Sequence, residues 1–340
     1  MRAHTVILGA GATMAAIPNG DKNGKKSSVM QGMIKKLGLE ELMQDVNLET
    51  TSDNIEDIYS EIYEKPEYED VTRELEKKLY EYFDSLELPA SPTIYDFLIL
   101  SLTSKDVIAN FNWDPLLIQA YVRCFRITEN LPKILCLHGN VAMGYCEAHR
   151  EFGTKDALCP ICKKQLPPIK LLYPVKEKNY KDNDYIKSCW DAVDYIIENS
   201  YMITVFGYSA PSSDIEAVNL LKKAWGEKER RQLEEVSVID IIDEDDMLKK
   251  WDDFIYSHHY RYTNNFFESY LGLFPRRTCE TVFSMYSLNI PADGNRGFKQ
   301  GMNWDDIYNI IDELSVDEYN TPDDENLPLY YTSEHFKKRK

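Results

Sequence analysis

The sequence predicts an α/β fold: a Rossmann-like, doubly wound parallel sheet with a small zinc-binding module, a helical insertion and a helical C-terminal region. Short apolar segments, typical of strands buried on both faces, recur along the chain. Segments with apolar residues at helical spacing lie between most of them. Glycines and polar residues follow the strands, at the edge where such sheets bind ligands.

The predicted elements follow in chain order. The strands are expected in HTVIL, DVIAN, KILCL, YMITVF and VSVIDI. Residues 29 to 86 are expected to be largely helical, because Leu, Ile and Tyr recur three and four residues apart in NIEDIYSEIY and VTRELEKKLYEYF. Two prolines in LPASPTIYDF end that region, and a helix restarts at Ser91 or Thr93. Later helices are expected in NDYIKSCWDAVDYIIENS and DIEAVNLLKKAW.

The same patterns divide the chain into a main domain and an extension. Residues 1–265 form the main domain, with a helical insert at 22–100 and a zinc module at 144–170. Residues 266–340 form a mainly helical C-terminal extension with an acidic tail. At 340 residues the chain has ample length for a core.

Composition indicates the cellular compartment of the chain. Its N-terminal apolar run is too short for a signal peptide, and no apolar stretch reaches the roughly 18 residues of a membrane span. Seven cysteines, including a CxxC pair, suit a reducing compartment better than a disulfide framework. We therefore expect a cytoplasmic protein.

The charge of the chain is strongly acidic. A net charge of −18 argues against an open nucleic-acid surface, which needs clusters of Lys and Arg. From Glu40 to Glu87 there are 17 acidic and 4 basic residues, a net charge of −13. That stretch is either a solvated helical face or a docking surface for a basic partner.

Four residues have the spacing of a zinc site: Cys146, His149, Cys159 and Cys162 form C-x2-H-x9-C-x2-C. Two closely spaced ligand pairs suit tetrahedral zinc, and four protein ligands leave no position for a substrate. The site is therefore predicted to be structural. His138, eight residues before Cys146 at the end of a predicted strand, remains for other chemistry or is a satisfied core histidine.

Two stretches indicate a nucleotide site. GAGAT follows a strand, and its glycines would let backbone N–H groups approach a pyrophosphate. It lacks the full G-x-G-x-x-G fingerprint because position 14 is Met, so a tight turn without a ligand stays open. In VIDIIDED, Asp240 or Asp243 could bind a ribose hydroxyl, or both are surface acids.

NFNWDP places two polar residues where a buried strand ends. Asn112 needs a partner there, because a buried polar side chain left unbonded is costly. Asp114 is either functional or the N-cap of the helix that Pro115 begins.

Together these residues resemble the sirtuin (silent information regulator) family, through five short motifs in the family's order from about residue 5 to 245. GAGAT with AAIPN is similar to the glycine motif and its Ile-Pro-Asp continuation. NFNWD is similar to Thr-Gln-Asn-Ile-Asp, and LHG to the catalytic His-Gly. The paired metal ligands follow as the sirtuin zinc module does, and FGYSAPSSD is similar to the later glycine–serine turn.

The resemblance implies NAD+ as the substrate, Zn2+ as a structural metal and roles for individual residues. Asn112 and Asp114 match the family's functional Asn and Asp, and His138 matches the general base. The residues expected to bind the nucleotide are Gly9, Ala10, Gly11, Ala12, Thr13, Asn19, Gly207, Tyr208, Ser209 and Asp240.

The sequence also departs from the family. Deacylating sirtuins carry Phe-Arg after Ile-Pro-Asp, whereas this chain reads IPNGD and has no evident strand to clamp an acyl-lysine peptide. LLYPVKEKNYKD and FGYSAPSSD resemble bacterial sirtuin-like proteins associated with antiphage defence, some of which hydrolyse NAD.

The preferred hypothesis is an NAD+ glycohydrolase that forms nicotinamide and ADP-ribose as a gated defence effector. The acidic insert and the C-terminal helices are candidate interfaces for a homo-oligomer or a companion ATPase. A protein deacylase or ADP-ribosyltransferase is the first alternative and requires an acceptor groove. A module that senses NAD or ADP-ribose is the second, and it would not need both Asn112 and His138.

Overall fold

A computed structural model describes residues 2–27, 30–173, 183–211, 214–292 and 294–320. The strands in these ranges are β1 (Ala3–Leu8), β2 (Val107–Asn110), β3 (Lys133–Cys136), β4 (Met143–Cys146), β5 (Glu151–Thr154), β6 (Ser200–Phe206), β7 (Glu235–Ile239) and β8 (Tyr260–Thr263). The helices are α1 (Ala10–Ala16), α2 (Met33–Lys36), α3 (Ile55–Tyr63), α4 (Glu69–Asp84), α5 (Ile94–Leu100), α6 (Leu116–Cys124), α7 (Asp184–Glu198), α8 (Ile215–Trp225), α9 (Glu244–Trp251), α10 (Tyr270–Leu273), α11 (Thr278–Ser287) and α12 (Trp304–Asn320). The tail at 321–340 and parts of LLYPVKEKNYKD and FGYSAPSSD lie outside the described residues.

Six of the strands form one parallel sheet in the order β3-β2-β1-β6-β7-β8. Counted along the sheet's own strands this is 3-2-1-4-5-6, the order of doubly wound dinucleotide-binding folds. The predicted fold class is confirmed. The strand order reverses between β1 and β6, which makes the carboxyl ends of these two strands the expected position of a ligand crevice.

Three elements differ from the sequence prediction. The edge strand β8 was not expected, because its short segment YRYT is only half buried and lacks a continuous apolar run. The hairpin of β4 and β5, a second sheet, was missed for the same reason. Residues 29 to 86 are only partly helical, because the stretch between α2 and α3 is rich in Ser, Thr, Asp and Asn, which favour turns.

Local capping explains where the helices of the insert begin. The side chain of Asn54 accepts a hydrogen bond from the Glu56 N–H at the start of α3. Thr93 and Asp96 form a capping box at the start of α5, which confirms the helix restart predicted at Thr93. An apolar stripe of α4 faces the core through Leu75, Leu79 and Phe83, all buried.

The C-terminal helices pack on the main body of the molecule. Ile307 and Ile311 of α12 belong to the same core cluster as Val6 of β1. The guanidinium of Arg276 is buried and pairs with the carboxylate of Glu318 on α12. This shared core links the extension to the sheet, and the domain boundary at residue 265 stays a prediction.

No helix in the described ranges combines the length and the apolar character required to cross a bilayer.

Two glycine turns, after β1 and after β6, lie directly against each other. A side chain on Gly9 would place its Cβ 2.5 Å from Cα of Tyr208, and one on Gly11 would lie 2.8 Å from Cα of Gly207. Gly207 has a φ of +59°, and a Cβ there would collide with the backbone nitrogen of Ala12. Close backbone contact at the switch point of the sheet therefore requires glycine on both sides.

We expect Gly207→Ala to lower the free energy of unfolding by about 2–4 kcal/mol, because it combines left-handed backbone strain with a collision against backbone atoms. Gly32→Ala is the matched control: Gly32 has a φ of +68°, but a Cβ on this residue would meet no other atom within 4 Å. That control should cost about 1–2 kcal/mol. Equal losses for the two variants in urea unfolding would show that the turns do not constrain each other.

Candidate functional site

A cavity of about 400 Å³ opens at the carboxyl ends of the central strands. Most of the predicted site residues line it: Gly9, Ala10, Gly11, Thr13, Asn112, Asp114, His138, Gly207, Tyr208, Ser209 and Asp240. Two of the predicted residues, as described, lie outside this lining: Ala12 is buried beneath the turn and Asn19 is exposed. The topology thus brings together side chains from five separate strand ends.

The glycine turns supply fewer backbone donors than their sequence suggests. The N–H of Gly9 donates to Phe206 O at 3.1 Å, and that of Gly11 donates to Gly207 O at 2.9 Å. The N–H of Gly207 donates to Ile239 O at 3.0 Å. Within the described residues, the N–H groups of Ala10 and Ser209 are not engaged in this way, so they are the better candidates to meet a phosphate.

Asn112 is held at the cavity wall by its own amide. Its Nδ2 donates to Gly9 O at 2.8 Å and lies 3.1 Å from Thr13 Oγ1 and 3.2 Å from the Tyr95 hydroxyl. Its carbonyl oxygen Oδ1 accepts no hydrogen bond from the described residues. The amide is therefore fixed with an acceptor available for a ribose hydroxyl or a water.

Both carboxylate oxygens of Asp114 accept hydrogen bonds from the protein. Oδ2 accepts from Thr13 Oγ1 at 2.7 Å, and Oδ1 accepts from the Leu116 N–H at 3.0 Å, next to the start of α6. Burial raises the pKa of the Asp114 carboxyl, and these two hydrogen bonds offset part of that rise. Asp114 thus bonds the first turn of α6 and also lines the cavity. The N-cap residue of α6 is Pro115 instead, and a catalytic role for Asp114 stays a prediction.

Two buried residues that the sequence prediction missed hold this network in place. The Tyr95 hydroxyl lies 2.6 Å from Thr13 Oγ1, and burial raises its pKa well above the usual value, so it stays a donor. Asn140 Nδ2 donates to Asp114 O at 2.6 Å and Asn112 O at 3.2 Å. Asn140 follows LHG directly. A polar residue just beyond a predicted strand was the sequence signal that could have identified it.

His138 sits in the tight turn that ends β3. The next residue, Gly139, has a φ of +78°, and Leu172 N–H donates to His138 O at 2.9 Å. The imidazole is buried, with its ring edge-to-face on Phe111 at 4.9 Å between centroids. Its Nε2 lies 3.8 Å from Oδ1 of Asp214. The ring is therefore held in the cavity wall by packing from several sides.

The helical insert forms one wall of the cavity. The insert residues that line it are Ser27, Met30, Gln31, Asn54, Glu56 and Phe83. Residues 30–32 pair with 53–55 through backbone hydrogen bonds, and Phe83 packs edge-to-face on Trp113 at 5.6 Å. The acidic insert is thus part of the site as well as a surface feature, which sequence spacing alone could not reveal.

The cavity carries negative side chains. Its described lining contains the carboxylates of Glu56, Asp114, Asp214 and Asp240 and neither Lys nor Arg. Carboxylates in a partly enclosed site favour a positively charged ligand or transition state. Transfer of a phosphoryl group would instead call for cationic side chains or metal ions around the phosphate.

Cys146, His149, Cys159 and Cys162 converge, with all four donor atoms within 4.8 Å of one another. Cys146 Sγ lies 4.0 Å from Cys162 Sγ and 3.4 Å from His149 Nδ1. A tetrahedron with Zn–S bonds of about 2.3 Å has edges of about 3.8 Å, so the donors fit zinc.

Local hydrogen bonds lower the pKa of one thiol in this cluster, Cys159, whereas burial raises the pKa of Cys146. Burial alone would raise the pKa of the Cys159 thiol. The N–H groups of Cys162 and Ile161 and the neighbouring thiols outweigh burial and lower this pKa to about 7. The ligands sit on and beyond the hairpin of β4 and β5, and none belongs to the described lining of the cavity. The cluster is a structural zinc site.

No family model matches the chain, and no curated protein matches it. Several solved structures do. A Sir2 homologue in complex with NAD shares 14% identity over 76% of this chain and 83% of its own, with a TM-score of 0.41. Sir2 bound to an acetylated peptide shares 13% identity over 85% and 93%, with a TM-score of 0.38. Because the identities and TM-scores are low, the chemistry of the site has to be argued from the residues of this chain.

Tyr95→Phe should lower the free energy of unfolding by about 1–2 kcal/mol, because the buried Thr13 hydroxyl loses a hydrogen-bond partner. Tyr63→Phe, whose side chain is exposed, is the control and should change it by less than about 0.5 kcal/mol. Urea unfolding measures both. A Tyr95→Phe protein as stable as the wild type would show that the Tyr95 hydroxyl does not stabilise this network.

The purified protein should contain about one zinc per chain, and Cys159→Ser should lose it and unfold at a temperature at least about 5 °C lower. Metal analysis and thermal unfolding report the two effects. Cys279→Ser serves as the control, since Cys279 is buried outside the cluster and its loss should leave the zinc in place. Full zinc occupancy in Cys159→Ser would contradict the assigned ligand set.

Proposed function

We propose that the chain is an NAD+ glycohydrolase, which cleaves NAD+ into nicotinamide and ADP-ribose. The observation that supports it best is the convergence of the glycine turns, Asn112 and His138 on one acidic cavity. The nicotinamide ring of NAD+ is a cation, and cleavage passes through an oxocarbenium-like state that is also positive. Carboxylates in the wall stabilise both charges.

The nucleotide would lie across the switch point of the sheet. Backbone N–H groups of Ala10 and Ser209 would meet the pyrophosphate, in the absence of cationic side chains from the described lining. Asp240, at the end of β7, would accept a hydrogen bond from an adenosine ribose hydroxyl. Its Oδ1 already accepts from the N–H groups of Ile241 and Ile242, which fixes the carboxylate.

The chemical step would break the bond between ribose C1′ and the nicotinamide nitrogen. The bonding electron pair leaves with nicotinamide, and a water oxygen forms the new bond to C1′. His138 accepts a proton from that water, which neutral imidazole does well near pH 7. Asn112 Oδ1 would place the water or the ribose hydroxyl, and Asp114 would orient Thr13 and the neighbouring polar groups.

The insert favours water as the acceptor. Its residues form a wall of the cavity from Ser27 to Phe83, so the insert limits the space for a protein chain to deliver an acyl-lysine. This favours hydrolysis over deacylation and over ADP-ribosyl transfer to a protein.

The biological role rests on the sequence resemblance to antiphage proteins. We propose a gated effector that depletes NAD+ in the bacterial cytoplasm, where cysteines stay reduced. None of the seven cysteines forms a disulfide here. Uncontrolled turnover would harm the host, so assembly as a homo-oligomer or with a companion ATPase would set activity. The acidic insert and the C-terminal helices are the proposed interfaces.

Release of nicotinamide from NAD+ by the purified protein, resolved by chromatography, tests the proposal. We expect His138→Ala and Asn112→Ala to lower the rate at least about 100-fold, because each removes a group that acts on the reacting atoms. His258→Ala, which removes an exposed histidine, should match the wild type. Zinc content and thermal stability confirm that each variant is folded.

The same assay separates the alternatives. Nicotinamide released only when an acetyl-lysine peptide is added would indicate a deacylase. Thermal stabilisation by NAD+ without turnover would indicate either a sensing module or an enzyme that its partner must activate. Equal turnover in the wild type and both site variants would contradict the assigned residues.

A further inference from the structure

Asp214 lies beside His138 in the wall of the cavity, just before α8. Both side chains are only 7% exposed, and Asp214 Oδ1 lies 3.8 Å from His138 Nε2. The other carboxylate oxygen, Oδ2, accepts a hydrogen bond from the Tyr208 hydroxyl at 3.1 Å. The carboxylate is thus held with one oxygen toward tyrosine and the other toward the imidazole.

Two aromatic rings, Phe111 and Tyr208, connect His138 and Asp214 by a second route. Phe111 meets His138 edge-to-face and stacks on Tyr208, with centroids 4.3 Å apart and planes at 13°. Tyr208 in turn reaches Asp214 through its hydroxyl. These contacts hold the carboxylate and the imidazole in a fixed relation to each other.

The other carboxylates of the described cavity wall lie on other elements, and two of them are hydrogen-bonded there. Asp114 accepts from Thr13 and Leu116, and Asp240 accepts from the N–H groups that follow it. Glu56 enters the wall from the insert. Of the carboxylates in the described ranges, Asp214 is the one within ion-pair distance of His138.

We infer that Asp214 is a positioning residue for His138, an inference that rests on the proposed hydrolysis of NAD+. The carboxylate orients the imidazole by attracting the proton on Nε2. When Nδ1 of His138 accepts a proton from the attacking water, Asp214 stabilises the imidazolium that forms, and the proton later passes to solvent. Asp214 itself neither gains nor loses a proton in the step.

The sign of the expected pH effect follows from the charge. A carboxylate within about 4–6 Å favours the imidazolium and raises the pKa of the histidine. Asp214→Asn removes that charge and keeps an oxygen for the Tyr208 hydroxyl. The acid limb of the pH profile should move down by about 1–3 pH units, while kcat on the plateau falls about 10- to 100-fold and KM changes little.

Two measurements test the inference. The first is the pH profile of kcat and KM for nicotinamide release by the wild type and Asp214→Asn. The second is an NMR titration of the His138 ring, assigned by its absence from His138→Ala, which needs no turnover. Asp245→Asn, which removes an exposed carboxylate in the first turn of α9, is the control and should move neither.

Asp214→Glu keeps the charge and serves as the second variant if Asp214→Asn unfolds. It should retain the His138 titration of the wild type within about half a pH unit, although the longer side chain lowers kcat. An unchanged His138 titration in Asp214→Asn would overturn the pairing. A lowered titration with wild-type kcat would overturn the positioning role. A wild type without turnover would count against hydrolysis by the chain alone, and the NMR titration would still decide the pairing.

Discussion

The site depends on the close backbone contact between the turns that follow β1 and β6. Gly11 donates to the carbonyl of Gly207, and neither turn has room for a side chain toward the other. This contact sets the spacing of the two central strands at the point where the sheet reverses its order. Asn112 is bound to Gly9 O, and Asp214 follows the second turn, so the positions of both side chains depend on this contact.

The chemistry follows from what this arrangement leaves in the cavity. Most of the glycine N–H groups bind protein carbonyls, so phosphate binding falls to few backbone donors. Four carboxylates face the same space without a cationic side chain in its described lining. Such a site would bind an anion weakly through its side chains and would stabilise a cation strongly. A substrate whose phosphates meet these few backbone donors and whose leaving group is a cation would suit this cavity.

The sequence predicted most of the sheet and much of the site because both depend on local patterns. Continuous apolar runs marked β1, β6 and β7, and ligand spacing marked the zinc cluster. The half-buried edge strand β8 and the hairpin of the zinc module carry no such signal. The roles of Tyr95 and Asp214 also escaped, because each depends on tertiary contacts with residues distant in sequence. Asn19 matched a motif but lies exposed, since motif similarity does not specify where a loop runs.

If the cavity binds NAD+ and stabilises its positive charge, it should distinguish NAD+ from NADH. The two ligands differ mainly in the charge of the nicotinamide ring. Calorimetric titration of His138→Ala, which should not turn over NAD+, measures both affinities. We expect NAD+ to bind at least about 10-fold more tightly than NADH, a difference of about 1.4 kcal/mol in binding free energy. Equal affinities, or tighter binding of NADH, would contradict it.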